Sequence, residues 1–241
     1  MEPYKLTNVT AAILGGGLGT RLRSVVADRP KVIAEVGNKP FLVYLLEQLA
    51  DAGVKKVVIC IGYLGGQIKA TFGDSYGSLD LIYSQEASQL GTAGALRLAL
   101  PLLESDSVLV LNGDSYCDTN LNNFWSYHLS KGSEATLLLT QVRDTKRYGR
   151  VQVNDEGRLL SFAEKVESNG PGWINAGVYL LKHNLLLTIP KNRPVSLERE
   201  LFPQWLGGNF YGYCTPSASF LDIGTPQSYS AAVDFFQKIK I

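Results

Sequence analysis

The sequence predicts an α/β protein with a Rossmann-like, mostly parallel central sheet flanked by helices. Short runs of β-branched and aliphatic residues alternate with segments of helical period, which is the pattern of parallel βαβ units. Glycine-rich or acidic turns follow some of these runs. Open α/β sheets bind their ligands at such turns, beyond the carboxyl ends of the strands. The 241 residues, 45% of them hydrophobic and 19% charged, are enough to bury a sizeable core.

Five apolar runs in the first 142 residues are the candidate strands: VTAAIL, KKVVICIG, LDLIYS, SVLVLNGD and ATLLLTQV. Between the first two, Pro40 suits the first position of a helix that continues at helical spacing and stops at Gly53. Further helices are predicted over GTAGALRLALPLLE and over NLNNFWSYHLSKG, the second ending at Gly132.

The pattern changes after Val142, where YGRVQVNDEGRLLSFAEK indicates short strands joined by a turn. We interpret residues 143–172 as a small β-rich elaboration of one domain spanning 1–241, because no linker or repeat interrupts the chain. WINAGVYLL predicts another strand. In the closing helix Thr225 suits the N-cap and Pro226 the next position, and one face is predicted to carry Tyr229, Ala232, Val233, Phe236 and Ile239.

Composition excludes several classes of function. A formal net charge of +1 argues against broad attraction to nucleic acid or to a membrane, so any anion site must be local. The three cysteines have no CxxC spacing, and the N-terminus lacks the pattern of a secretory signal. No apolar run approaches the roughly 18 residues that span a bilayer. We therefore expect a cytoplasmic protein.

A glycine-rich, cationic loop follows the first candidate strand. Gly15, Gly16, Gly17 and Gly19 would let the backbone approach a phosphate, which the N–H groups of the loop and of a following helix could bind. Arg21 and Lys31 add positive charge. A simple tight turn is the alternative. The loop is not a P-loop, because it lacks G-K-[ST], and Thr20 breaks the G-x-G-x-x-G pattern.

The loop GGGLGTRL, followed by RPKVIAEVGNKPF, resembles the signature of the sugar-1-phosphate nucleotidylyltransferases. Further matches fall in the family's order along nearly the whole chain: LGTAGAL, LNGDS, YGRV, EK, NAGVY and DIGTPQSY. Enzymes of this family join a nucleoside triphosphate to a sugar 1-phosphate and release pyrophosphate. The resemblance therefore implies these two substrates as partners, Mg²⁺ as cofactor, and a chain that can form homo-oligomers.

The resemblance also implies roles for residues that lie far apart in the chain. Catalysis is expected of Arg21, Lys31, Asp114 and Lys165. We expect the nucleotide to contact the first loop and the segment SQEASQLGTAG through Leu14, Gly15, Gly16, Gly17, Gly19, Thr20, Arg21, Lys31, Gln85, Glu86, Gly91 and Thr92. We expect the sugar phosphate to contact Gly113, Gly149, Glu164, Lys165 and Asn175. The metal ligands would be Asp114 and Asp222.

Several of these residues have simpler interpretations when the resemblance is set aside. Asp114 and Asp222 would then be turn residues or helix caps, and Gln85 or Glu86 a solvated loop residue. If Glu86 reaches the pocket, its acceptor-only carboxylate would suit the N1–H and N2–H₂ edge of guanine, which favours GTP. Val166 replaces the proline of the family's usual Glu-Lys-Pro.

Within the family, the short form of the chain is most similar to the D-glycero-α-D-manno-heptose 1-phosphate guanylyltransferases, which supply GDP-heptose for bacterial surface polysaccharides. Hexose 1-phosphate enzymes that use UTP, dTTP, CTP or GTP share every motif above. A non-catalytic regulatory homologue and a glycosyltransferase are alternatives of other classes, although the second usually needs a DxD motif. His128 and His183 lack metal-ligand spacing and are expected to be structural.

Overall fold

The computed structural model describes residues 5–164 and 170–239. Its strands, in chain order, are β1 Thr10–Leu14, β2 Glu35–Val36, β3 Lys39–Pro40, β4 Lys56–Ile61, β5 Ser75–Tyr76, β6 Leu79–Gln85, β7 Ser107–Asn112, β8 Ser115–Cys117, β9 Ala135–Val142, β10 Gly149–Val153, β11 Leu159–Glu164, β12 Gly172–Lys182, β13 Phe210–Thr215 and β14 Phe220–Asp222.

The α-helices are α1 Phe41–Asp51, α2 Gly65–Phe72, α3 Gly91–Ala99, α4 Leu121–Ser130, α5 His183–Leu187, α6 Phe202–Trp205, α7 Pro226–Ser230 and α8 Ala232–Lys238. Short 3₁₀ turns span Leu6–Asn8, Lys31–Ile33 and Leu100–Leu102, and a π-helical turn spans Leu197–Leu201. None of the helices in the described part of the chain is both long and apolar enough to cross a bilayer.

The predicted fold class is confirmed. The main sheet has the order β11-β10-β12-β7-β1-β4-β6-β5, and β9 joins β12 to β13. Its centre is parallel, since β1 lies between β4 and β7 and β4 pairs with β6 in the same direction. Parallel strands end at the same edge, so the loops that follow β1, β4, β6 and β7 meet there. This edge carries the candidate site.

Each face of the sheet covers a separate apolar core, because successive side chains of a strand point to opposite faces. On one face Ile13 belongs to the cluster that contains Phe41 of α1 and Phe236 of α8. On the other face Ala12 belongs to the cluster that contains Leu96 of α3 and Phe202 of α6. Helices therefore cover both faces of the sheet, which holds its edge loops in place.

The helix predictions hold in outline and differ at the ends. Pro40 is the N-cap of α1 rather than its first residue, and Gly53 follows the helix with a left-handed φ of +88°. Thr225 does cap the closing segment, in a capping box with Ser228. That segment is two helices, α7 and α8, because it breaks at Ala231. Val233 is 38% exposed, so the buried face is narrower than predicted.

The segment after Val142 contains the predicted short strands. β10 and β11 form an antiparallel hairpin, and β10 also pairs with the first half of β12. The second half of β12 pairs with β7, which ends at the site edge. The hairpin is thus continuous with the central sheet. Lys165, at the end of the predicted motif, lies outside the described residues.

His128 lies on α4, and its imidazole is buried against the sheet. Its Nδ1 lies 2.7 Å from Thr136 Oγ1 and its Nε2 lies 3.4 Å from Ser107 Oγ. Burial, with a smaller contribution from the charge of Lys182, lowers the pKa of His128 to about 4. The imidazole is therefore neutral in the folded protein at neutral pH, in agreement with the expected structural role.

We expect this histidine to make the protein less stable in mild acid. The unfolded chain takes up the proton below the ordinary histidine pKa, whereas the folded chain does so only near pH 4, so stability falls as pH drops through this interval. Between pH 7.5 and pH 5 the free energy of unfolding should fall by about 2 kcal/mol from this group alone. Urea titrations at both pH values measure it.

His128→Gln should remove that part of the pH dependence, whatever it does to stability at pH 7.5. The matched control is His183→Gln, which replaces the other histidine, at the surface end of α5. If the free energy of unfolding fell by the same amount between pH 7.5 and pH 5 in wild type and in His128→Gln, the pH dependence could not be assigned to His128.

Candidate active site

A cavity of about 250 Å³ lies at the carboxyl edge of the parallel strands. The glycine loop after β1 forms one side of it, the segment before and at the start of α3 forms another, and the end of β7 closes it. The residues lining the cavity are Leu14, Gly15, Gly16, Gly17, Gly19, Lys31, Val32, Cys60, Glu86, Gln89, Gly91, Thr92, Ala95, Asn112 and Asp114.

The glycine loop lies close to its neighbours at Gly15 and Gly16, whereas no atom stands within 4 Å of the position of a Cβ on Gly17. Gly15 N donates to Cys60 O at 2.9 Å, and a Cβ on Gly16 would stand 2.9 Å from Glu86 Oε1. Gly19 has a φ of +60°. The helix expected directly after the loop is absent, because residues 20–25 form turns and the first helical residues thereafter are the 3₁₀ turn at Lys31. Backbone N–H groups that contact a phosphate here would therefore belong to the loop itself and not to a helix N-terminus.

Glu86 presents a carboxylate to this cavity. Its Oε2 accepts from Leu90 N at 2.9 Å, and its Oε1 lies within 3 Å of the positions that a Cβ on Gly16 or Gly62 would take. Burial raises the pKa of Glu86, and the hydrogen bond from Leu90 N–H acts in the opposite direction. The result is a fixed acceptor group in a partly desolvated pocket.

The start of α3 is held by the segment around Val195. Gly91 has a φ of +72°, and a Cβ there would stand 2.6 Å from Val195 O. Thr92 Oγ1 donates to Glu198 Oε2 at 2.7 Å and accepts from Leu197 N at 2.8 Å. Only glycine fits at position 91, because both its dihedral angle and the adjacent backbone exclude a side chain.

The two candidate metal ligands lie close to each other: Asp114 is in the turn directly before β8, and Asp222 is the last residue of β14, which pairs with β8. Asp222 of β14 is paired in register with Ser115 of β8, and Ile223 N donates to Asp114 O at 2.9 Å. Each carboxylate is paired with a basic side chain: Lys31 Nζ donates to Asp114 Oδ2, and Arg147 Nη2 lies 3.0 Å from Asp222 Oδ2. The structure thus brings together the two aspartates that the sequence separates by more than a hundred residues.

The donor set fits Mg²⁺. Two carboxylates offer hard oxygen ligands, and Mg²⁺ in phosphoryl-transfer sites is usually held by one or two carboxylates together with substrate phosphates. No group of three or more histidine, cysteine, aspartate or glutamate side chains that could hold a metal by themselves occurs within residues 5–164 and 170–239. Two carboxylates alone would leave further coordination positions of such an ion to phosphate or water oxygens.

Three of the residues expected to contact the sugar lie on the adjacent strands β10, β11 and β12. Gly149 of β10 is in register with Glu164 of β11, and a Cβ on Gly149 would stand 3.0 Å from Glu164 Oε2. Arg150 pairs with Ile174, which places Gly149 beside Asn175 of β12. Gly113 lies at the end of β7, where a Cβ would stand 2.8 Å from Leu14 O. None of these four residues belongs to the lining of the cavity, so the structure groups Gly149, Glu164 and Asn175 on the hairpin side of the sheet without placing them in its wall.

Asn175 belongs to a partly buried hydrogen-bond network that sequence reasoning missed. Its Nδ2 donates to Tyr179 Oη at 2.9 Å, and its Oδ1 accepts from Gly177 N at 2.9 Å. Tyr179 Oη also accepts from Asn112 Nδ2 at 3.3 Å and donates to Glu198 Oε1 at 3.3 Å. The network links Asn175 to Thr92 and leaves the Asn175 amide one N–H and one lone pair for a ligand.

The structure does not bring every expected nucleotide-contacting residue into the cavity. Gln85 is the last residue of β6 and is exposed, whereas Glu86 and Gln89 line the cavity. Thr20 and Arg21 also lie outside the lining; Arg21 Nη2 stands 3.4 Å from the position of a Cβ on Gly224, beside Asp222. Gln89 and Asn112 are lining residues that the sequence did not single out, although both fall within recognised motif segments.

Comparison with known proteins places this site in a family. The family model described as nucleotidyl transferase matches residues 10–239. The chain is 36% identical to the mannose-1-phosphate guanylyltransferase of Mycobacterium tuberculosis over 92% of this chain and 62% of that protein. It is also 36% identical to the D-glycero-α-D-manno-heptose 1-phosphate guanylyltransferase of Aneurinibacillus thermoaerophilus over 92% of this chain and 96% of that protein.

Solved structures are similar to this chain as well. The crystal structure of HddC from Yersinia pseudotuberculosis superposes with a TM-score of 0.84 at 32% identity, covering 95% of this chain and 99% of that one. The same protein complexed with GMP-PN superposes with a TM-score of 0.83 at 33% identity. The chain thus spans nearly all of this neighbour and less than two thirds of the mycobacterial relative.

The close contact at Gly91 should make this position intolerant of any side chain. We expect Gly91→Ala to lower the free energy of unfolding by about 2 kcal/mol or more, because alanine must adopt a left-handed conformation and its Cβ meets Val195 O. We also expect weaker nucleotide binding, measured by calorimetry, because the start of α3 must shift.

Gly66→Ala is the matched control for this substitution. Gly66 lies within α2, and no atom stands within 4 Å of the position of its Cβ. Alanine there should leave stability unchanged or raise it slightly. Equal stability of Gly91→Ala and wild type in urea titrations would show that the turn is not constrained as described.

Proposed function

This chain belongs to the nucleotidyl transferase family, and from that premise we propose that it is a sugar-1-phosphate guanylyltransferase. It would condense GTP with D-glycero-α-D-manno-heptose 1-phosphate and release pyrophosphate. Support for the general reaction comes from the family match and from guanylyltransferase relatives at 36% identity. Support for the heptose comes from two relatives of that name, each 36% identical over more than nine tenths of both chains.

The observation that carries the choice of base is the position of Glu86. Its carboxylate lies in the cavity, with Oε1 close to two glycine loops and Oε2 fixed by Leu90 N–H. An ionised carboxylate accepts hydrogen bonds and donates none, so it complements the adjacent N1–H and N2–H₂ groups of guanine. Adenine and the pyrimidines lack this pair of donors on one edge. We therefore infer that Glu86 selects GTP.

In the proposed reaction an oxygen of the sugar 1-phosphate attacks the α-phosphorus of GTP in line, and pyrophosphate leaves. The nucleophile is already anionic, so the protein has to align the two substrates and offset their charge rather than supply a strong base. N–H groups of the Gly15–Gly19 loop would hold the triphosphate. Lys31, now donating to Asp114, is placed at the wall of the same cavity and would turn to a phosphate oxygen.

Charge neutralisation would be shared among several further groups. Asp114 and Asp222 would hold Mg²⁺, which acts as a Lewis acid and a template for phosphate oxygens when it is bound. Arg21 stands on the Asp222 side of the site, where a departing pyrophosphate could be stabilised. Lys165, which lies outside the described residues, is proposed to face the phosphate of the sugar.

The hairpin of β10 and β11 is proposed to bind the sugar within a single domain that spans residues 1–241, with 143–172 as its β-rich elaboration. Glu164 would accept from sugar hydroxyls, Gly149 would offer its backbone N–H, and Asn175 would use the N–H and lone pair that the Tyr179 network leaves. The rigid network behind Asn175 would fix the orientation of its amide and so contribute to the choice of sugar.

Mannose 1-phosphate is the second candidate substrate. The mycobacterial relative that is also 36% identical is a mannose-1-phosphate guanylyltransferase, and three further relatives of that activity from insects and Dictyostelium are 34% identical. Both candidates share GTP and the same reaction, so they differ only in the sugar that the hairpin must accept.

The proposed reaction is tested by measuring pyrophosphate release for five nucleoside triphosphates against mannose, glucose and D,D-heptose 1-phosphates. We expect the highest kcat/KM for GTP with the heptose phosphate, and a loss of activity on removal of Mg²⁺. GTP with mannose 1-phosphate as the best pair would move the assignment to the second candidate. UTP with glucose 1-phosphate as the best pair, or no release from any pair, would overturn the proposal.

Glu86→Gln should weaken the preference for GTP. Glutamine replaces one acceptor by a donor, which opposes the N1–H and N2–H₂ groups of guanine, and each such lost charged hydrogen bond costs about 2 kcal/mol or roughly a thirtyfold factor in kcat/KM. The ratio of GTP to ATP kcat/KM measures the effect. Gln85→Ala, one residue earlier and outside the cavity, is the control, and an equal change in both variants would contradict the role.

A further inference from the structure

A second cavity, of about 500 Å³, lies behind the start of α3. Its walls are the outer face of α3, the 3₁₀ turn Leu100–Leu102 and the loop of residues 190–193. Leucine and proline side chains form much of the surface, and Leu98 is 44% exposed there. Four basic side chains also line it: Arg97, His183, Lys191 and Arg193. None of these groups takes part in the proposed reaction.

Arg97 is the unusual member of this lining. Its Nε is buried, yet it has no hydrogen-bond partner in the part of the chain that the structure describes, and no ion pair to its guanidinium is found there either. Buried donors in proteins are nearly always paired, and an unpaired one calls for a partner such as a water or an ion. A guanidinium offers a planar set of donors that matches phosphate oxygens. Arg97 therefore points to an anion in this cavity.

The charges around Arg97 also favour an anion. Glu104 is the acidic residue of the lining, and its Oε2 is paired with Lys56 Nζ at 2.9 Å. Lys191 is exposed and adds a second cation that has no ion pair within the described residues. Arg193 is paired with Glu200 at 3.1 Å. The apolar walls and the two uncompensated cations together suit a molecule with an apolar body and a phosphate group.

Hydrogen bonds connect the wall of this cavity to the wall of the nucleotide cavity. Leu90 lines the second cavity, while its N–H donates to Glu86 Oε2 in the first. Leu90 O accepts from Val195 N at 2.8 Å, and Val195 O accepts from Ala93 N at 3.0 Å. A ligand that moves the loop before Val195 would thus move the turn that positions both Glu86 and Gly91.

We propose that this second cavity is an effector site, which binds a small organic phosphate and changes the affinity of the nucleotide cavity through Leu90 and Val195. The binding step does not depend on the proposed reaction, whereas the effector step rests on the proposed nucleotide site. A simpler role for Arg97 is to complement the dipole at the end of α3. That role would affect stability alone and would give no ligand binding.

The test uses 1-naphthyl phosphate as the probe, because it combines an apolar body with a phosphate. Isothermal titration calorimetry of the full chain, saturated with a non-hydrolysable GTP analogue, should show one equivalent of probe bound. Arg97→Gln should weaken binding about tenfold or more, as expected for a charged hydrogen bond. Lys191→Gln, at an exposed position, should weaken it as well without affecting folding. Inorganic phosphate should bind about tenfold more weakly, since it lacks the apolar body.

Arg199→Gln is the matched control, because Arg199 is exposed and outside the lining. Unchanged binding in Arg97→Gln and Lys191→Gln, loss of binding in Arg199→Gln alone, displacement of the probe by the GTP analogue, or no binding at millimolar probe would each overturn the proposed site. If the analogue itself fails to bind while the probe binds, the proposed function fails and the binding site stands.

The effector step has its own measurement. The probe should change the Kd of the GTP analogue by the same factor by which the analogue changes the Kd of the probe, since coupling between two sites is reciprocal. A factor clearly different from one in wild type, and absent in Arg97→Gln, supports the coupling. A factor of one in wild type, with both ligands bound, would overturn it.

Discussion

The candidate site depends on the close approach of three loops at one edge of the parallel sheet. A glycine follows each of three neighbouring strands: Gly15 after β1, Gly62 after β4 and Gly113 after β7. A Cβ on Gly62 would stand 2.8 Å from Gly16 O, and one on Gly113 would stand 2.8 Å from Leu14 O. Larger residues would separate the loops, and the cavity between them would lose its shape. Backbone packing therefore determines where a ligand can lie.

The two aspartates held by this backbone are each paired with a basic side chain. Asp114 is held by Lys31, and Asp222 is held by Arg147 at 3.0 Å. Glu86 stands apart from these pairs, since Leu90 N–H alone is its described hydrogen-bond donor. The cations are thus already present where we propose that phosphates bind, and the remaining acceptor faces the proposed place of the base. The same Leu90 links this cavity to the second one, so a change in either can reach the other.

Local patterns predicted much of this structure. The run ATLLLTQV is β9 from its first to its last residue, and Thr225 caps its helix as expected. Features that depend on distant contacts were missed: the turn instead of a helix after Gly19, the break at Ala231, and the replacement of Gln85 by Gln89 in the cavity. The bond between Tyr179 and Glu198 could not be foreseen either, because only the folded sheet brings β12 beside the π-helical turn. The roles of the site residues remain predictions that the geometry accommodates.

A crystal structure with Mg²⁺ and a non-hydrolysable GTP analogue tests the central claim most directly, because that claim is a statement about position. We expect the triphosphate along Gly15–Gly19, the guanine N1–H and N2–H₂ donating to Glu86 Oε1, and Lys31 moved from Asp114 to a phosphate oxygen. A nucleotide bound in this cavity with its base away from Glu86 would contradict the account of base selection. A nucleotide bound elsewhere on the chain would contradict the account of the site.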